Sequence, residues 1–420
     1  MYDFMVFGYY ATAIGRTFFP STNEYASLML SLATFGAGFL MRPLGALVLG
    51  AYVDRHGRRA GLVLTLTLMA VGTLSIACVP GYATIGLAAP AIVLAGRLLQ
   101  GLSAGAQVGG VSVYLAEIAT PGNRGFYVSW QSASQQVAVM FAALVGLATT
   151  SALTPPEMLS WGWRIPIGLG LLLIPFIFLI RSYVEESEEF LSNSKRPAAS
   201  AVFRSIAANW RVVGLGTLLA TMTTVSFYLI TAYTPTFGSA VLRLQPREAL
   251  TVTLCVGLAN FIMLPTMGAV SDRIGRRPLL IGCGLLALTT GYAALWWLTV
   301  APSFGRLLAV ELWLAAVYAG YNAAMIVHLT EIMPAEVRAT AFSLAYSTAT
   351  AIFGGFTPAI CTYMIHVTGN RAMPGLWLSA AALCGVVAAL ALGPDRRQPR
   401  QRAETEPIAL PLKRLPDPSV

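Results

Sequence analysis

A charged decapeptide occurs twice in the chain, each time between two long apolar runs. Residues 50–59 read Gly-Ala-Tyr-Val-Asp-Arg-His-Gly-Arg-Arg, and residues 268–277 read Gly-Ala-Val-Ser-Asp-Arg-Ile-Gly-Arg-Arg. The second copy begins 218 positions after the first, which is about half of the 420 residues. Self-similarity at a fixed interval indicates a repeated architecture. The repeat therefore predicts two similar halves, each with a short charged loop between two helices.

The charged positions of both decapeptides are candidates for a contact that forms and breaks. Arginines beside a membrane segment hold a loop on the cytoplasmic side. The aspartate can accept hydrogen bonds from an arginine or from the N-terminus of a neighbouring helix. A purely topogenic loop is the alternative, but two copies half a chain apart favour a gate. The candidate gating residues are Asp54, Arg55, Arg58, Arg59, Asp272, Arg273, Arg276 and Arg277.

A second, shorter repeat places a glutamate at the cytoplasmic end of the fourth helix of each half. These glutamates are Glu117 and Glu331. We expect Glu117 to pair with the arginines of residues 55–59, and Glu331 to pair with those of residues 273–277. The alternative is a helix-end carboxylate that only reaches toward water.

The composition indicates a protein with many membrane spans. The chain is 56% hydrophobic and 11% charged, with a mean hydropathy of +0.68, whereas a soluble protein carries about 25% charged residues. A bilayer span needs about 20 apolar residues. The apolar runs predict an all-α membrane protein with twelve transmembrane helices, at residues 1–19, 25–51, 60–79, 85–116, 126–150, 163–182, 210–238, 248–269, 279–300, 306–331, 340–366 and 374–393.

These helices divide into two pseudo-symmetric six-helix bundles. The bundles cover residues 1–182 and 210–393, with a polar cytoplasmic linker at 183–209 and a disordered cytoplasmic tail at 394–420. The first helix begins without a polar lead, so we expect roughly 20 further residues upstream. No basic region precedes the first apolar run, so no cleavable signal peptide is expected.

The distribution of basic residues predicts the orientation in the cytoplasmic (inner) membrane. Of 27 Lys and Arg residues, 19 fall on segments that are cytoplasmic when both termini are inside, six fall outside and two lie within the membrane. The net charge of +9 is thus distributed by side of the membrane, which argues against a nucleic-acid partner. The expected environment is the lipid bilayer, and the expected state is a monomer.

Catalysis and metal binding are not indicated. The five cysteines lie in apolar runs without metal-ligand spacing or a histidine partner, and free thiols are expected. No nucleophile–base pair or phosphate-binding loop occurs in the sequence. We therefore predict no enzyme activity, no metal and no cofactor.

Ionisable residues at membrane depth are functional candidates, because each costs at least about 2.5–3.5 kcal/mol. Arg97 lies deep in the fourth helix and can hold a carboxylate with two hydrogen bonds; a structural pair with an acid on a neighbouring helix is the alternative. Asp3 can carry a proton or act as a fixed partner of Arg97. Arg42 is expected to be structural or gate-related. Glu311 is expected near the external surface and His328 near the cytoplasmic mouth.

Uncharged polar residues cluster on helices five and seven, with further members on helices eight, ten and eleven. In hydrocarbon such groups must face inward or satisfy one another. Their density predicts a cavity for an oxygen-rich solute. With Arg97, the candidate substrate-binding residues are Gln100, Gln131, Gln135, Thr224, Tyr228, Tyr321 and Asn322.

Several longer strings resemble the metabolite–proton symporter branch of the major facilitator superfamily, and are most similar to the citrate and tricarballylate proton symporters. The resemblance implies the major facilitator fold and proton-coupled uptake of citrate or a related tri- or dicarboxylate by alternating access. Two departures are Gln107, where these symporters tend to carry a glutamate, and Glu311, where an apolar residue is usual. The matching strings lie at residues 39–43, 96–101, 109–115, 118–123, 129–136, 161–166 and 233–236.

Other functions remain as alternatives. A symporter for a zwitterion or monocarboxylate, such as betaine, proline or shikimate, is the first. A drug–proton antiporter usually needs acidic cavity residues, which are few here, and a non-transporting sensor would need a signalling domain. The sequence leaves open which acid is carried, how many protons move and whether Na⁺ replaces the proton.

Overall fold

A computed structural model describes residues 1–105, 107–172, 207–334 and 337–392, together with positions 175, 179 and 204. The side chains of residues 53–55, 58, 107 and 108 lie outside this description. The predicted tail at 394–420, most of the predicted linker at 183–209 and most of the sixth helix after residue 172 also lie outside it.

Within these ranges the chain is helical and contains no strand. In the first half the helices are α1 (Tyr2–Tyr9 and Ala11–Phe18), α2 (Glu24–Leu40 and Arg42–His56), α3 (Arg58–Cys78), α4 (Ala88–Gly105 and Gln107–Glu117), α5 (Arg124–Ala152) and the start of α6 (Arg164–Leu169 and a 3₁₀ turn at Gly170–Leu172). Short segments at Tyr82–Ile85, Pro155–Glu157 and Met158–Gly162 precede α4 and α6.

The second half follows the same plan. Its helices are α7 (Trp210–Phe227, Tyr228–Tyr233, Thr234–Thr236 and Phe237–Val241), α8 (Pro246–Ile274), α9 (Arg276–Val300), α10 (Phe304–Ile332), α11 (Arg338–Ala349, Thr350–Gly354 and Thr357–Thr368) and α12 (Met373–Ala391).

Ten helices in the described part of the chain are long and apolar enough to cross a membrane. α1 is not among them because it breaks at Tyr10, and α6 is not because its description ends at Leu172. The prediction of an all-α membrane protein is confirmed. The observed helices extend beyond several predicted limits, as α8 does by reaching Ile274.

The two predicted charged loops are largely helical, so the prediction of a loop at these positions was wrong. α2 continues to His56 and α8 to Ile274, and only Gly57 and Gly275 separate each helix from the next. Gly57 has φ 94° and ψ 165°, and Gly275 has φ 97° and ψ 161°. Glycine reaches positive φ without steric cost, which permits so short a break. The shared conformation indicates that the two repeats fold alike.

α1 and α7, the first helices of the two halves, are both irregular. α1 breaks at Tyr10, and α7 contains π-helical segments at Tyr228–Tyr233 and Phe237–Val241. Such segments occur frequently at functional sites, because they redirect side chains and backbone groups within a helix.

Glycines bring α2 and α4 into direct backbone contact. A Cβ atom on Gly101 would overlap the carbonyl oxygen of Gly38, and one on Gly105 would overlap that of Arg42. Small residues allow such close approach between membrane helices. This contact places the deep arginine of α4 beside the aromatic face of α2.

We expect Gly101→Ala to lower stability, because the added methyl group would collide with the backbone of α2 and overpacking typically costs about 1–3 kcal/mol. The apparent thermal unfolding midpoint in detergent should fall by several degrees. Gly110→Ala on the same helix is the control, since a Cβ there meets no atom within 4 Å. Equal midpoints for the two variants would contradict the close contact.

Candidate functional site

Arg97 lies in a cage of aromatic rings between α1, α2 and α4. Its side chain is 0% exposed, and its guanidinium carbon lies 4.5 Å from the ring centre of Phe4 and 4.6 Å from that of Phe7. Nη1 donates to Gln100 Oε1 at 2.7 Å, and Nη2 donates to the Phe35 carbonyl at 3.3 Å. Nε has no hydrogen-bond partner. The cation is therefore stabilised by ring faces and neutral oxygens.

A second buried guanidinium shares this cage. Arg42 is 3% exposed and lies 5.1 Å from the ring centre of Phe4 and 4.6 Å from that of Phe39. Both guanidinium carbons are close to the Phe4 ring, so they lie less than about 10 Å apart. Within the described part of the chain, no carboxylate lies within 4 Å of either group. The alternative that Arg97 forms a tight structural pair with an acid is therefore not what the structure contains.

Asp3 lies on α1 beside this cage. It is 5% exposed, and its Oδ1 has no hydrogen-bond partner in the part of the chain that the structure describes. Oδ1 is directed at Gly170 of α6, where a Cβ atom would collide with it and would also lie 3.2 Å from Thr73 Cγ2. Thr73 in turn accepts a hydrogen bond from Gln100 Nε2 at 2.9 Å. Asp3 is thus linked to the Arg97 cluster through the neutral side chains of Thr73 and Gln100.

Three buried amides lie near the middle of their helices: Gln136 on α5, Asn260 on α8 and Asn322 on α10. Each is 0% exposed, and none of their amide nitrogen or oxygen atoms has a hydrogen-bond partner. Leaving buried polar atoms unpaired costs about 1–3 kcal/mol each. Such groups are therefore candidates for contacts with a bound solute.

The packing of α5 against α8 places two of these amides opposite each other. A Cβ atom on Gly257 of α8 would meet Met140 of α5 at 2.8 Å, and one on Gly268 would meet Ser129 at 2.6 Å. This antiparallel register sets Gln136 opposite Asn260, at the boundary between the halves. α10 packs on both helices. The sequence contains a signal for Gln136, because Gly125, Ser129, Ser132 and Gln136 recur at helical spacing on one face.

The remaining predicted substrate-binding residues differ in whether they contact the other half or form hydrogen bonds within their own half. Tyr228 meets the first half, with its ring centre 5.0 Å from Phe39 and 6.1 Å from Phe35. Gln131 accepts from Ser132 within α5, and Gln135 is only half-buried. Thr224 donates to the Thr221 carbonyl, and Tyr321 donates to the Leu219 carbonyl. The hydroxyl groups of Thr224 and Tyr321 therefore form their hydrogen bonds within the second half.

The end of the bundle that carries the repeated decapeptides, here called the loop end, holds a contact between the halves. Asp272 of α8 accepts hydrogen bonds from the backbone nitrogen atoms of Gly125 at 2.8 Å and Phe126 at 3.0 Å, in the first turn of α5. Arg276 lies 2.8 Å from Asp272 and 3.5 Å from Glu331. A carboxylate at a helix N-terminus is stabilised by the free N–H groups and the helix dipole.

Other predicted gating residues take different positions. Arg277 donates to the carbonyl groups of Ala389 and Leu390 on α12, and Arg273 is exposed. Arg59 and Glu117 are exposed. The side chains of Asp54, Arg55, Arg58 and Gln107 lie outside the described residues, so the first-half counterpart of the Asp272 contact and the Gln107 departure remain predictions.

The halves also touch at the opposite end. Thr236 donates to the Gly8 carbonyl at 3.1 Å, and Arg247 donates to the Thr150 carbonyl at 3.1 Å. A cavity of about 450 Å³ lies between α1, α5, α7 and α8 at this end, and Tyr10 and Arg247 are among its lining residues.

Glu311 and His328 are both buried on α10. Glu311 is 3% exposed and accepts from Thr234 at 3.0 Å, so it is an interior group rather than a surface one. Its apolar surroundings come from the packing of α7 against α10, which α10 alone does not reveal. The described residues contain no cluster of His, Cys, Asp or Glu suited to a metal ion, and the five cysteines are free.

Comparison with known sequences gives two family matches. The family described as "Sugar (and other) transporter" matches residues 1–213, and the family "Major Facilitator Superfamily" matches residues 239–417. A citrate-proton symporter of Salmonella typhi is 58% identical over 92% of this chain and 89% of its own length. One of Klebsiella pneumoniae is 58% identical over 92% of this chain and 87% of its own length. A proline/betaine transporter of Escherichia coli (strain K12) is 28% identical over 96% of this chain and 82% of its own length.

Solved structures share the fold. The partially occluded inward-open conformation of the xylose transporter XylE from E. coli has a TM-score of 0.73 at 20% identity, covering 93% of this chain and 92% of that one. Its inward-open conformation has a TM-score of 0.66. The architecture is therefore the twelve-helix fold of two related bundles.

We expect Asp272→Ala to separate the halves at the loop end, because α5 loses both charge-assisted acceptors, each worth about 1.5–3 kcal/mol. The readout is maleimide labelling of Ser343→Cys, a buried position that Gly109 of the first half packs against. The native cysteines are replaced in this background. Labelling should accelerate at least about tenfold. Glu157→Ala, which removes an exposed acid at the other end, is the control. Equal labelling rates in the two variants would contradict the role of the Asp272 contact.

Proposed function

The chain belongs to the major facilitator superfamily, in the metabolite–proton symporter branch, and on this basis we propose that it carries citrate or a related tri- or dicarboxylate together with protons by alternating access. A member of this superfamily is a membrane transporter and not an enzyme. The observation that carries the substrate class is the pair of buried guanidinium groups, Arg42 and Arg97, in one aromatic cage, with no carboxylate of the described residues within 4 Å.

Two fixed cations close together match the spacing of carboxylates on one small molecule. Arg97 keeps an unpartnered Nε, and its bond to the Phe35 carbonyl is long enough to be exchanged for a substrate oxygen. A substrate carboxylate would form two parallel hydrogen bonds with this guanidinium. Arg42 would take a second carboxylate, so a dianion or trianion is favoured over a monocarboxylate.

The buried amides would bind the rest of the molecule. Gln136 of the first half and Asn260 of the second lie opposite each other across the boundary, and their side chains offer both donors and acceptors. A substrate hydroxyl or a third carboxyl group would satisfy them. Contacts from both halves would make substrate binding draw the bundles together.

Asp3 would take the coupling proton. It shares the buried site with Arg97, yet it forms no ion pair with that group within the described residues. A proton on Asp3 would remove the carboxylate that competes with the substrate for the two guanidinium groups. Proton binding would thereby favour binding of the anion.

Alternating access would use the contacts at the two ends. Asp272, Arg276 and Glu331 would hold the loop end closed, and Thr236 and Arg247 would hold the opposite end closed. We assign the loop end and both termini to the cytoplasm, and the protein to the inner membrane. It would act there as a monomer in the lipid bilayer, with the proton rather than Na⁺ as the coupling ion.

The 28% identical proline/betaine transporter supports a second substrate class, the zwitterions. A zwitterion carries one carboxylate and one cationic group. Two nearby guanidinium groups would repel that cationic group. Competition separates the two classes: excess citrate should block uptake of labelled citrate in proteoliposomes, and excess betaine should not.

We expect Arg97→Gln to reduce citrate counterflow at least about 100-fold, because a buried charge-assisted pair with substrate is worth roughly 3 kcal/mol or more. Uptake of labelled citrate into reconstituted vesicles measures this loss, and an intact elution profile verifies folding. Arg371→Gln changes an exposed arginine and is the matched control. Near-normal counterflow in Arg97→Gln would remove this residue from the site.

We expect Asp3→Asn to reduce accumulation driven by a pH gradient, because the proton on this residue is lost, while citrate counterflow continues. Exchange needs no net proton movement, whereas accumulation needs a group that gains and loses the proton. Both are measured in the same vesicles with and without an imposed gradient. Undiminished accumulation would assign the coupling proton to another residue.

A further inference from the structure

Glu311 is a buried acid that the proposed substrate site does not use. It lies on α10, seven residues after Phe304, and only 3% of its surface is exposed. Oε1 accepts from the Thr234 hydroxyl at 3.0 Å, and Oε2 has no hydrogen-bond partner among the residues described. No arginine, lysine or histidine of the described chain lies within 4 Å of this carboxyl group. An ionised carboxylate in this place would be a buried, unpaired charge.

Several charged and titratable groups on α10 and on the elements that pack against it have partners other than Glu311. On α8, Arg247 donates to Thr150 and Glu248 accepts from the Gln245 backbone. On α7, Tyr233 pairs with Thr362, and Tyr228 packs against Phe39. Further titratable groups toward this end of the same helices are Tyr292 of α9, which accepts from Asn370, and Arg306 of α10, which donates to Trp297. Tyr318 of α10 lies two turns away and packs against Phe227, and Cys255 of α8 is a free thiol.

Thr234 connects this acid to the irregular part of α7. Its hydroxyl lies 3.0 Å from Glu311 Oε1 and 3.2 Å from the carbonyl oxygen of Leu229, which is in the π segment Tyr228–Tyr233. A threonine hydroxyl has only one proton to donate. When Glu311 is ionised, the Thr234 hydroxyl donates to the carboxylate, and the Leu229 carbonyl loses this hydrogen bond. With Glu311 protonated, the acid donates to Thr234, and Thr234 donates to Leu229, so both bonds form.

The same stretch of α7 closes the opposite end of the bundle. Thr236 donates to the Gly8 carbonyl of α1, and a Cβ atom on Gly8 would lie 3.2 Å from the Ala232 carbonyl oxygen. The Leu229 carbonyl and these contacts lie within two turns of one helix. A change in its hydrogen bonding therefore acts on the segment that touches the first half.

We propose that Glu311 is a second proton-binding site, whose protonation completes the Glu311–Thr234–Leu229 hydrogen-bond chain and stabilises the closed state of the opposite end. The proposal rests on the proposed function insofar as the proton moves with the substrate. It adds one proton per cycle beyond that carried by Asp3. In the return step Glu311 releases this proton, and Thr234 turns back to the carboxylate.

The test uses the full chain in proteoliposomes. The citrate gradient that balances a fixed pH gradient gives the number of protons per citrate. Glu311→Gln should lower this number by one, with counterflow still measurable. Thr234→Val, which removes the relay hydroxyl, should shift the pH dependence of exchange. Thr253→Val is the control, since that buried hydroxyl bonds only to Ala249 of its own helix. An unchanged proton number in Glu311→Gln overturns the proposal.

A measurement without substrate separates this proposal from the proposed function. Infrared difference spectra of the reconstituted protein between acidic and alkaline pH should contain a protonated-carboxyl band that Glu311→Gln lacks. If this band is present and citrate is not carried, the proposed substrate fails and the proton site stands. If citrate is carried with protons and the band is the same in both proteins, the second proton site fails alone. If Glu311→Gln does not fold, an unshifted pH profile of Thr234→Val overturns the proposal.

Discussion

The candidate site depends on two buried guanidinium groups that form no ion pair with an acid among the described residues. A charged side chain within a bilayer costs at least about 2.5–3.5 kcal/mol. Ring faces of α1 and α2 offset part of that cost, because a desolvated cation over an aromatic ring gains roughly 2 kcal/mol. Arg97 lies within 6 Å of four such rings. The arrangement holds the cations in place and leaves Arg97 Nε without a hydrogen-bond partner among the described residues.

Backbone packing makes this cage possible. α2 and α4 touch through glycines, so Phe35 and Phe39 lie against Arg97 instead of a side chain's width away. A larger residue at Gly38 or Gly101 would move the rings from the cation. The glycine pattern of these helices thus supports the geometry of the candidate site.

Polar contacts join the halves at both ends, and the middle of the boundary contains amides without a partner among the described residues. At the loop end these contacts are a helix N-terminus, a carboxylate and an arginine, polar groups that water can solvate when they separate. At the other end, hydroxyl and carbonyl groups serve the same purpose. A molecule held at both ends by reversible contacts, with binding groups between them, has the physical requirements of alternating access.

The sequence alone predicted the helical membrane class and the two related bundles, and it singled out Asp272 as a candidate, because hydropathy and an internal repeat can be read directly along the chain. It also selected Arg97 and Asp3, since charge at membrane depth is costly wherever it occurs. It erred on the charged loops, which are helical up to Gly57 and Gly275. Only the tertiary structure selected Gln136 over Gln135, placed Arg42 beside Arg97 and showed Glu311 to be interior. Those results depend on how neighbouring helices cross. Because a one-residue step turns a side chain by about 100° around a helix, the sequence of a single helix does not determine which side chains face a neighbour.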